Sequence, residues 1–442
     1  MRDAGRLSAA IEILDDFAAR RVPLKTAIAD WGRGNRYAGA KDRAWISGLC
    51  LDALRRRHSL AAVMGADTGR ALALAAFRFL WRAPMDALGD VAAEEPHGPG
   101  ALSEDERARL TGDAHGRPDA LSGRPPHVLG DYPEWLGPQI ERAFGGAAVA
   151  VMGAFARRAD VDLRINTLKT GPEKALAALK SVDAQAVPVL TTAARIAAPD
   201  PSRKAPAVTV IPAFNKGWVE VQDLGSQIAA AAAGDVRGAQ VLDYCAGGGG
   251  KTLALAAMME NTGQLYAYDR DARRLKPLYH RAGRAGVRNL QVRSPAGAEG
   301  LDDLQARMDV VFVDAPCTGS GTWRRHPDTK WRLTPQQLRR RMDEQDAVLR
   351  EAARFVRPGG RLIWVTCSFL MEENEDRLAA FLAAHPGFRQ GAALDGIAAS
   401  GLLAGDGAGL LARCVTPAGC LRLTPDVLRA DGFFVSVLTR EG

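Results

Sequence analysis

Two cysteines stand where this 442-residue chain looks most able to do covalent chemistry. Cys317 lies in Asp314-Ala-Pro-Cys-Thr-Gly-Ser-Gly321, where an aspartate closes an apolar run, a proline stiffens the chain and a glycine-rich turn follows. Cys367 lies in Thr366-Cys-Ser-Phe369, after another apolar run. A free thiol with a pKa of about 8.5 is only a few per cent thiolate at neutral pH, and nearby cations or amide dipoles raise that fraction. Cysteines are also common as small buried hydrophobes. That plainer reading is preferred for Cys50, Cys414 and Cys420, whereas motif context favours chemistry for Cys317 and Cys367.

A second reactive stretch is Asp243-Tyr-Cys-Ala-Gly-Gly-Gly-Gly-Lys-Thr252. Glycines between a strand and a helix let the backbone approach a ligand, and the helix start adds free amide donors. A phosphate-binding loop would need Gly at position 245, which is Cys245, so that motif fails. A nucleotide-like ligand without phosphates, S-adenosylmethionine, fits better. Asp269 ends the next strand, where an acidic side chain reads ribose hydroxyls in dinucleotide-binding sheets. The alternative is a solvated loop aspartate.

These residues need a scaffold, and the chain around them supplies one. Val241–Asp243, Gln264–Tyr268, Leu290–Val292, Asp309–Val313 and Leu362–Val365 read as apolar strands. Helices over 252–259, 273–285 and 336–355 alternate with them, which means a parallel sheet with helices on both faces. Ligands bind such sheets beyond the carboxyl ends of the strands, and Asp243, Asp269, Asp314 and Cys367 all fall there.

Upstream, Leu7, Ala10, Ile11, Leu14, Phe17 and Ala18 recur at helix spacing, as do Trp45, Ile46, Leu49, Cys50, Ala53 and Leu54. These predict a helical bundle over residues 1–130. Gly, Pro and acidic residues from Glu94 to Pro126 read as its loop-rich boundary. Tyr132 to Leu136 opens a new helical stretch. Strands over 161–168 and 186–190 flank a helix over 173–181, which makes residues 131–218 a small α+β segment before a domain over 219–442. Arg55, Arg56 and Arg57 face either RNA phosphates or, more commonly for such runs, plain solvent.

Composition sets limits. Hydrophobic residues at 47% and charged residues at 25% are ordinary for a globular protein, and no apolar run reaches the roughly 20 residues of a membrane span. The first residues do not read as a secretory signal, so a cytoplasmic location is expected. Net charge +7 permits a polyanionic partner. Six cysteines without Cys-x-x-Cys or His/Cys spacing argue against both a disulfide framework and a metal site.

The segments Asp243–Thr252, Asp314–Gly321 and Thr366–Phe369 resemble the motifs of the RsmB/Nop2/Sun-type RNA cytosine-5 methyltransferases. Val221-Gln-Asp-Leu-Gly-Ser226, Trp323-Arg-Arg-His-Pro-Asp-Thr-Lys-Trp331 and Asp431-Gly-Phe-Phe434 fit the same pattern. The resemblance runs from about Tyr132 to the end. Lys41-Asp-Arg43 and the helix after it are similar to the NusB-like RNA-binding bundle of the bacterial ribosomal RNA member.

The resemblance implies a Rossmann-like α/β domain using S-adenosylmethionine, preceded by the α+β segment and an all-α domain. Cys367 would attack carbon 6 of a cytosine, and Cys317 would assist loss of the carbon 5 proton and release. Asp314 would contact ring nitrogen 3, with Lys251 helping to hold the base. Cys245, Ala246, Gly247, Gly248, Gly249, Gly250, Lys251, Asp269 and Asp314 would bind the cofactor. Ribosomal RNA is the expected partner of a monomer. The alternatives are a non-catalytic RNA-binding or assembly factor and the same chemistry on transfer RNA. Aromatic and basic residues from Trp323 to Trp331, with Arg339 to Arg341, suit RNA binding, and the tryptophans equally suit a core. The chain departs from the family at Gly247-Gly248, where Ala-Pro is usual, giving a more flexible loop. It also departs around Ala296, where an acidic residue near the adenine is expected.

Overall fold

The structure, a computed structural model, describes residues 1–111, 121–200, 208–295 and 300–442. Ala296 lies outside them. The chain forms two compact units. The first comprises Met1–Arg158, Ala198–Ala205 and Thr322–Leu333, and the second Ala159–Ala197, Pro206–Gly321 and Thr334–Gly442.

Among its described residues the first unit is helical. Helix Asp3–Arg20 buries Leu7, Ala10, Leu14 and Phe17, and helix Ala40–Arg55 buries Ile46, Leu49, Cys50, Ala53 and Leu54. Both stripes join one core, each large apolar side chain contributing about 1.5–3 kcal/mol on burial. Cys50 is a plain core residue there, its thiol pushed far up by burial.

Three expectations change in this unit. The chain does not leave it at residue 130, because the buried Asp131 carboxylate accepts from the Ser59 amide at 2.9 Å and from its hydroxyl at 2.8 Å. The Arg55–Arg57 run is neither a phosphate-facing nor a solvated face. Arg55 is buried, paired with Asp52 at 2.6 Å and bonded to the Arg324 carbonyl at 2.8 Å, while Arg57 pairs with Asp67 at 2.8 Å. Finally, Trp323 is buried and Trp331 donates its ring N–H to the Leu54 carbonyl at 2.7 Å, so both act as anchors and not as stacking platforms.

In the second unit, β1 (Val161–Ile165), β2 (Gln185–Ala186), β3 (Ala193–Ile196) and β4 (Val219–Val221) form an antiparallel sheet in the order β2-β3-β1-β4. The strand expected over 186–190 ends after Ala186. The larger sheet contains β5 (Gln240–Asp243), β6 (Gln264–Tyr268), β7 (Leu290–Arg293), β8 (Met308–Asp314), β9 (Val356–Thr366), β10 (Phe388–Gly391), β11 (Leu421–Leu423) and β12 (Phe433–Arg440). Its order is β10-β12-β9-β8-β5-β6-β7, with β11 also paired to β12. Strands β5 to β9 run parallel to their neighbours, and β12 is antiparallel to β9. Helices Gly250–Met258, Ala272–Ala285 and Pro335–Ala353 supply the crossovers. The second unit is therefore a Rossmann-like α/β domain with an antiparallel edge and an attached α+β sheet.

Candidate active site

Adjacent parallel strands set the site. Asp314, the last residue of β8, pairs in register with Val365 of β9, so the loops after these strands leave the sheet side by side. The Ala315 amide donates to the Val365 carbonyl at 2.8 Å, and the Gly321 amide to the Cys367 carbonyl at 2.9 Å. The Ser320 and Ser368 hydroxyls meet at 2.9 Å. Only glycine fits at 321, because an added Cβ would lie 2.0 Å from the Gly432 carbonyl oxygen. The Asp431–Phe434 segment thereby closes over the Asp314 loop.

This arrangement brings the two sulfurs together: Cys317 Sγ lies 3.4 Å from Cys367 Sγ. The contact with Cys367, and then burial, push the Cys317 thiol well above the ordinary range, so it keeps its proton at neutral pH. Beside them, Lys251 Nζ donates to Asp314 Oδ2 at 2.7 Å. Burial opposes the charge on Lys251, but Asp314, with Cys367 and Asp243 near, holds its ammonium above the usual lysine range. A persistent cation thus stands within electrostatic reach of Cys367.

Two residues the sequence did not single out hold the loops. The buried Glu373 carboxylate accepts from Thr318 through its amide at 2.8 Å and its hydroxyl at 2.5 Å, and from Gln345 Nε2 at 3.1 Å. Burial pushes this carboxyl up, against those donors. Asn374 accepts from Thr366 Oγ1 at 2.6 Å and donates to the carbonyls of Ser368 and Leu370. The signal was present as Glu373-Asn374 shortly after Thr-Cys-Ser, but nothing in it tells a structural polar pair from an exposed one.

On the other side of Lys251 lies a cavity of about 320 Å³ lined by Cys245, Ala246, Gly247, Gly248, Gly250, Lys251, Asp314 and, from neighbouring elements, Gln222, Ser226, Asp243, Arg274 and Arg281. Two expected residues stand behind this lining. Gly249 has φ +83°, and a Cβ there would lie 2.3 Å from Leu278 Cδ1, so it seats the loop on helix Ala272–Ala285. Asp269 is buried, accepts from the Gly247 amide at 3.1 Å and the Asp271 amide at 2.9 Å, and pairs with Arg274 at 2.9 Å. It braces the loop from behind. The Gly247-Gly248 stretch is tethered rather than slack, since Arg281 also donates to the Gly248 carbonyl at 2.5 Å. Cys245 is no third nucleophile, because burial pushes its thiol far up.

The cavity's chemistry suits a nucleoside-like ligand without phosphates. Its cations are already engaged, Lys251 by Asp314, Arg274 by Asp269 and Arg281 by Glu220 and Gly248. Asp243 is fully buried, and only Oδ2 is bonded, by Thr252 Oγ1 at 2.6 Å; Oδ1 has no partner. An acceptor left without a donor beside a cavity fits a ligand that brings a cationic or hydrogen-bond-donating group.

Comparison with known proteins gives concordant results. Residues 233–439 match the model of a family described as 16S rRNA methyltransferase RsmB/F, and residues 132–202 match the ferredoxin-like domain of RsmF/B-like methyltransferases. A probable ribosomal RNA small subunit methyltransferase B of Synechocystis is 33% identical over 263 residues, covering 58% of this chain and 58% of that protein. Ribosomal RNA small subunit methyltransferase B of Photorhabdus laumondii is 31% identical over 260 residues, again 58% of each. The alignments thus span 58% of the length of these relatives. The solved structure of a methyltransferase homolog from Pyrococcus horikoshii shares the fold, with TM-score 0.56, 24% identity, and 73% of this chain and 99% of that one covered.

Proposed function

We propose that the chain is a member of the RsmB/F methyltransferase family and that it methylates carbon 5 of a cytosine in small-subunit ribosomal RNA. The observation that carries this reading is the 3.4 Å contact of Cys317 with Cys367 beside the Lys251–Asp314 pair. The residues from Cys245 to Lys251 would hold S-adenosylmethionine, which would supply the methyl group.

An aromatic ring carbon is a poor nucleophile, and the residues here overcome that. Cys367, reacting as its thiolate, forms a bond to carbon 6 and moves the ring's electron pair toward nitrogen 3. Asp314, at the end of β8, and Lys251, in the first turn of helix Gly250–Met258, would together contact nitrogen 3 and steady the charge that develops there. Carbon 5 is then electron-rich enough to accept a methyl group. With Cys317, still protonated, assisting from beside the ring, the carbon 5 proton passes to water, its electron pair restores the carbon 5–carbon 6 double bond, and the Cys367–carbon 6 bond breaks to return the thiolate. The target base leaves any stack or pair to reach these groups, at a cost of a few kcal/mol.

The test is a trapped adduct. With Cys317→Ala, RNA and S-adenosylmethionine, a denaturation-resistant protein–RNA conjugate is expected, and it is lost in Cys317→Ala/Cys367→Ala. Methyl transfer surviving Cys367→Ala would overturn the assignment of the nucleophile. Calorimetry with S-adenosylmethionine tests the cofactor separately.

A further inference from the structure

Two ammonium groups in the second unit lie over one tryptophan ring: Lys174 Nζ and Lys216 Nζ are 4.9 Å and 5.1 Å from the Trp218 ring centroid. Both lysines are exposed, and they come from different elements, helix Pro172–Ala178 and the cap of helix Pro212–Asn215. An indole attracts either cation, but two like charges brought to one ring repel each other. Among the described residues no ion pair relieves them, nor does one involve the exposed Lys169. Glu173 is exposed beside Lys174 and pairs with none of the three, and Glu220 is taken by Arg281 and Arg284. The fold thus gains little from gathering these charges.

The face that carries them is nevertheless firmly built. Asn166 is buried, and its side-chain amide donates to the Gly217 carbonyl and to the Ala285 carbonyl, both at 2.8 Å. It ties the turn at Lys216 to the end of helix Ala272–Ala285. The Lys169 amide donates to the Asn166 carbonyl at 3.0 Å, and the Lys169 side chain crosses the same helix end, where a Cβ at Gly286 would lie 2.6 Å from Lys169 Cε. The carbonyl end of that helix helps to seat Lys169. Lys174 and Lys216 have only the ring. Along the same helix Lys276 is exposed, while Arg274 and Arg281 line the cavity beside Lys251. A strand held on this face therefore runs along the helix that borders the reaction site.

We propose that Lys169, Lys174 and Lys216 bind the phosphate backbone of the RNA that flanks the target base, without reading its sequence. The inference rests on RNA as the substrate in the function proposed above. Clustered ammoniums without counter-ions suit closely spaced phosphates, whose neutralisation releases condensed cations. Protein interfaces are depleted in lysine, so an acidic polypeptide suits this face less well.

The experiment titrates the full chain with two labelled single-stranded RNAs of about 20 nucleotides, one of mixed sequence and one of uridine only, between about 50 and 200 mM salt. Each phosphate contact adds about 0.7 to the slope of log affinity against log salt. Lys174→Gln/Lys216→Gln is expected to flatten that slope by about 1.4 and to weaken binding at least tenfold, flagged here as about one decade, at the lower salt, equally for both RNAs. Arg307→Gln/Arg413→Gln removes the same charge from exposed positions on other elements of the unit and is expected to leave slope and affinity unchanged. Slope and affinity unchanged in the lysine variant would overturn the proposal, as would an equal loss in the arginine variant or a loss confined to one RNA. So would a lysine variant that keeps its RNA affinity and loses affinity for polyglutamate, which would assign the face to an acidic protein. Binding is read without methyl transfer, so a chain that shows the expected loss yet methylates no RNA would refute the proposed function and leave this face assigned.

Discussion

Glu373 and Asn374 are neighbours in sequence, yet each holds a different cysteine loop: Glu373 bonds the Thr318 amide and hydroxyl, and Asn374 bonds Thr366 and the Ser368 carbonyl. A single short turn therefore fixes the distance between two thiols that lie 50 residues apart in the chain.

Loosening either tether should separate the sulfurs. Glu373→Gln points amide hydrogens toward the Thr318 and Gln345 donors, and Asn374→Ala removes one hydrogen bond each from two buried carbonyls and a buried hydroxyl. Methyl transfer is expected to fall by about 10²-fold, the usual consequence of displacing a reacting group by ~1 Å. Stability should fall by about 1–3 kcal/mol for Asn374→Ala. Single-turnover methylation beside a denaturant titration separates the two effects. Unchanged turnover in both variants would refute the positioning role.

The same proximity makes the pair oxidisable. With hydrogen peroxide, the two thiols give one S–S bond while the peroxide takes up two electrons and two protons to become water. We expect inactivation that dithiothreitol reverses, with loss of two hydrogens from the intact mass. In Cys317→Ala neither the mass change nor the reversible phase should appear.

Asp243 should make stability depend on pH. Its carboxyl is pushed up to about 7, first by burial and further by Asp314 and Asp269, against an unfolded value of 3.8. Folding therefore favours the protonated form. The resulting penalty is absent below about pH 4, grows as the unfolded chain ionises up to pH 7, and is constant above. Asp243→Asn keeps an acceptor for Thr252 Oγ1 and cannot ionise. Its stability relative to the unaltered protein should rise by a few kcal/mol between pH 4.5 and pH 8, on the order set by a three-unit shift. Denaturant midpoints at the two pH values check this.

Lys330, in the first unit, works in the opposite direction. It is buried, donates to the carbonyls of Arg55 and Asp131, and lies over the rings of Trp323 and Trp331. Burial lowers its ammonium from 10.5 to about 7. Above pH 7 the folded side chain is neutral while the unfolded one still binds a proton, so stability should rise with pH from 7 toward 10. Lys330→Met should lack this component. Parallel melting curves for the two proteins across that range would expose an error.

The parallel strands were legible in the sequence because a parallel sheet buried on both faces writes itself as short apolar runs, and β6 matches its expected span. The start of β9 was not, because Arg357-Pro-Gly-Gly360 carries no strand signal and only its flanks, Val356 and Arg361, pair with Met308 and Val310 of β8. Strand β3, with two alanines, is likewise set by its pairing with β1 and not by propensity.

Sequence alone determined which groups could react, because strand ends, glycine loops and thiols are local features of the chain. Only the tertiary structure decided which of them meet. It put Cys317 against Cys367, set Asp269 on the Gly247 amide, and packed Trp323 and Trp331 as anchors. Those outcomes depend on partners far away in the sequence, and spacing along one strand or helix carries no record of them.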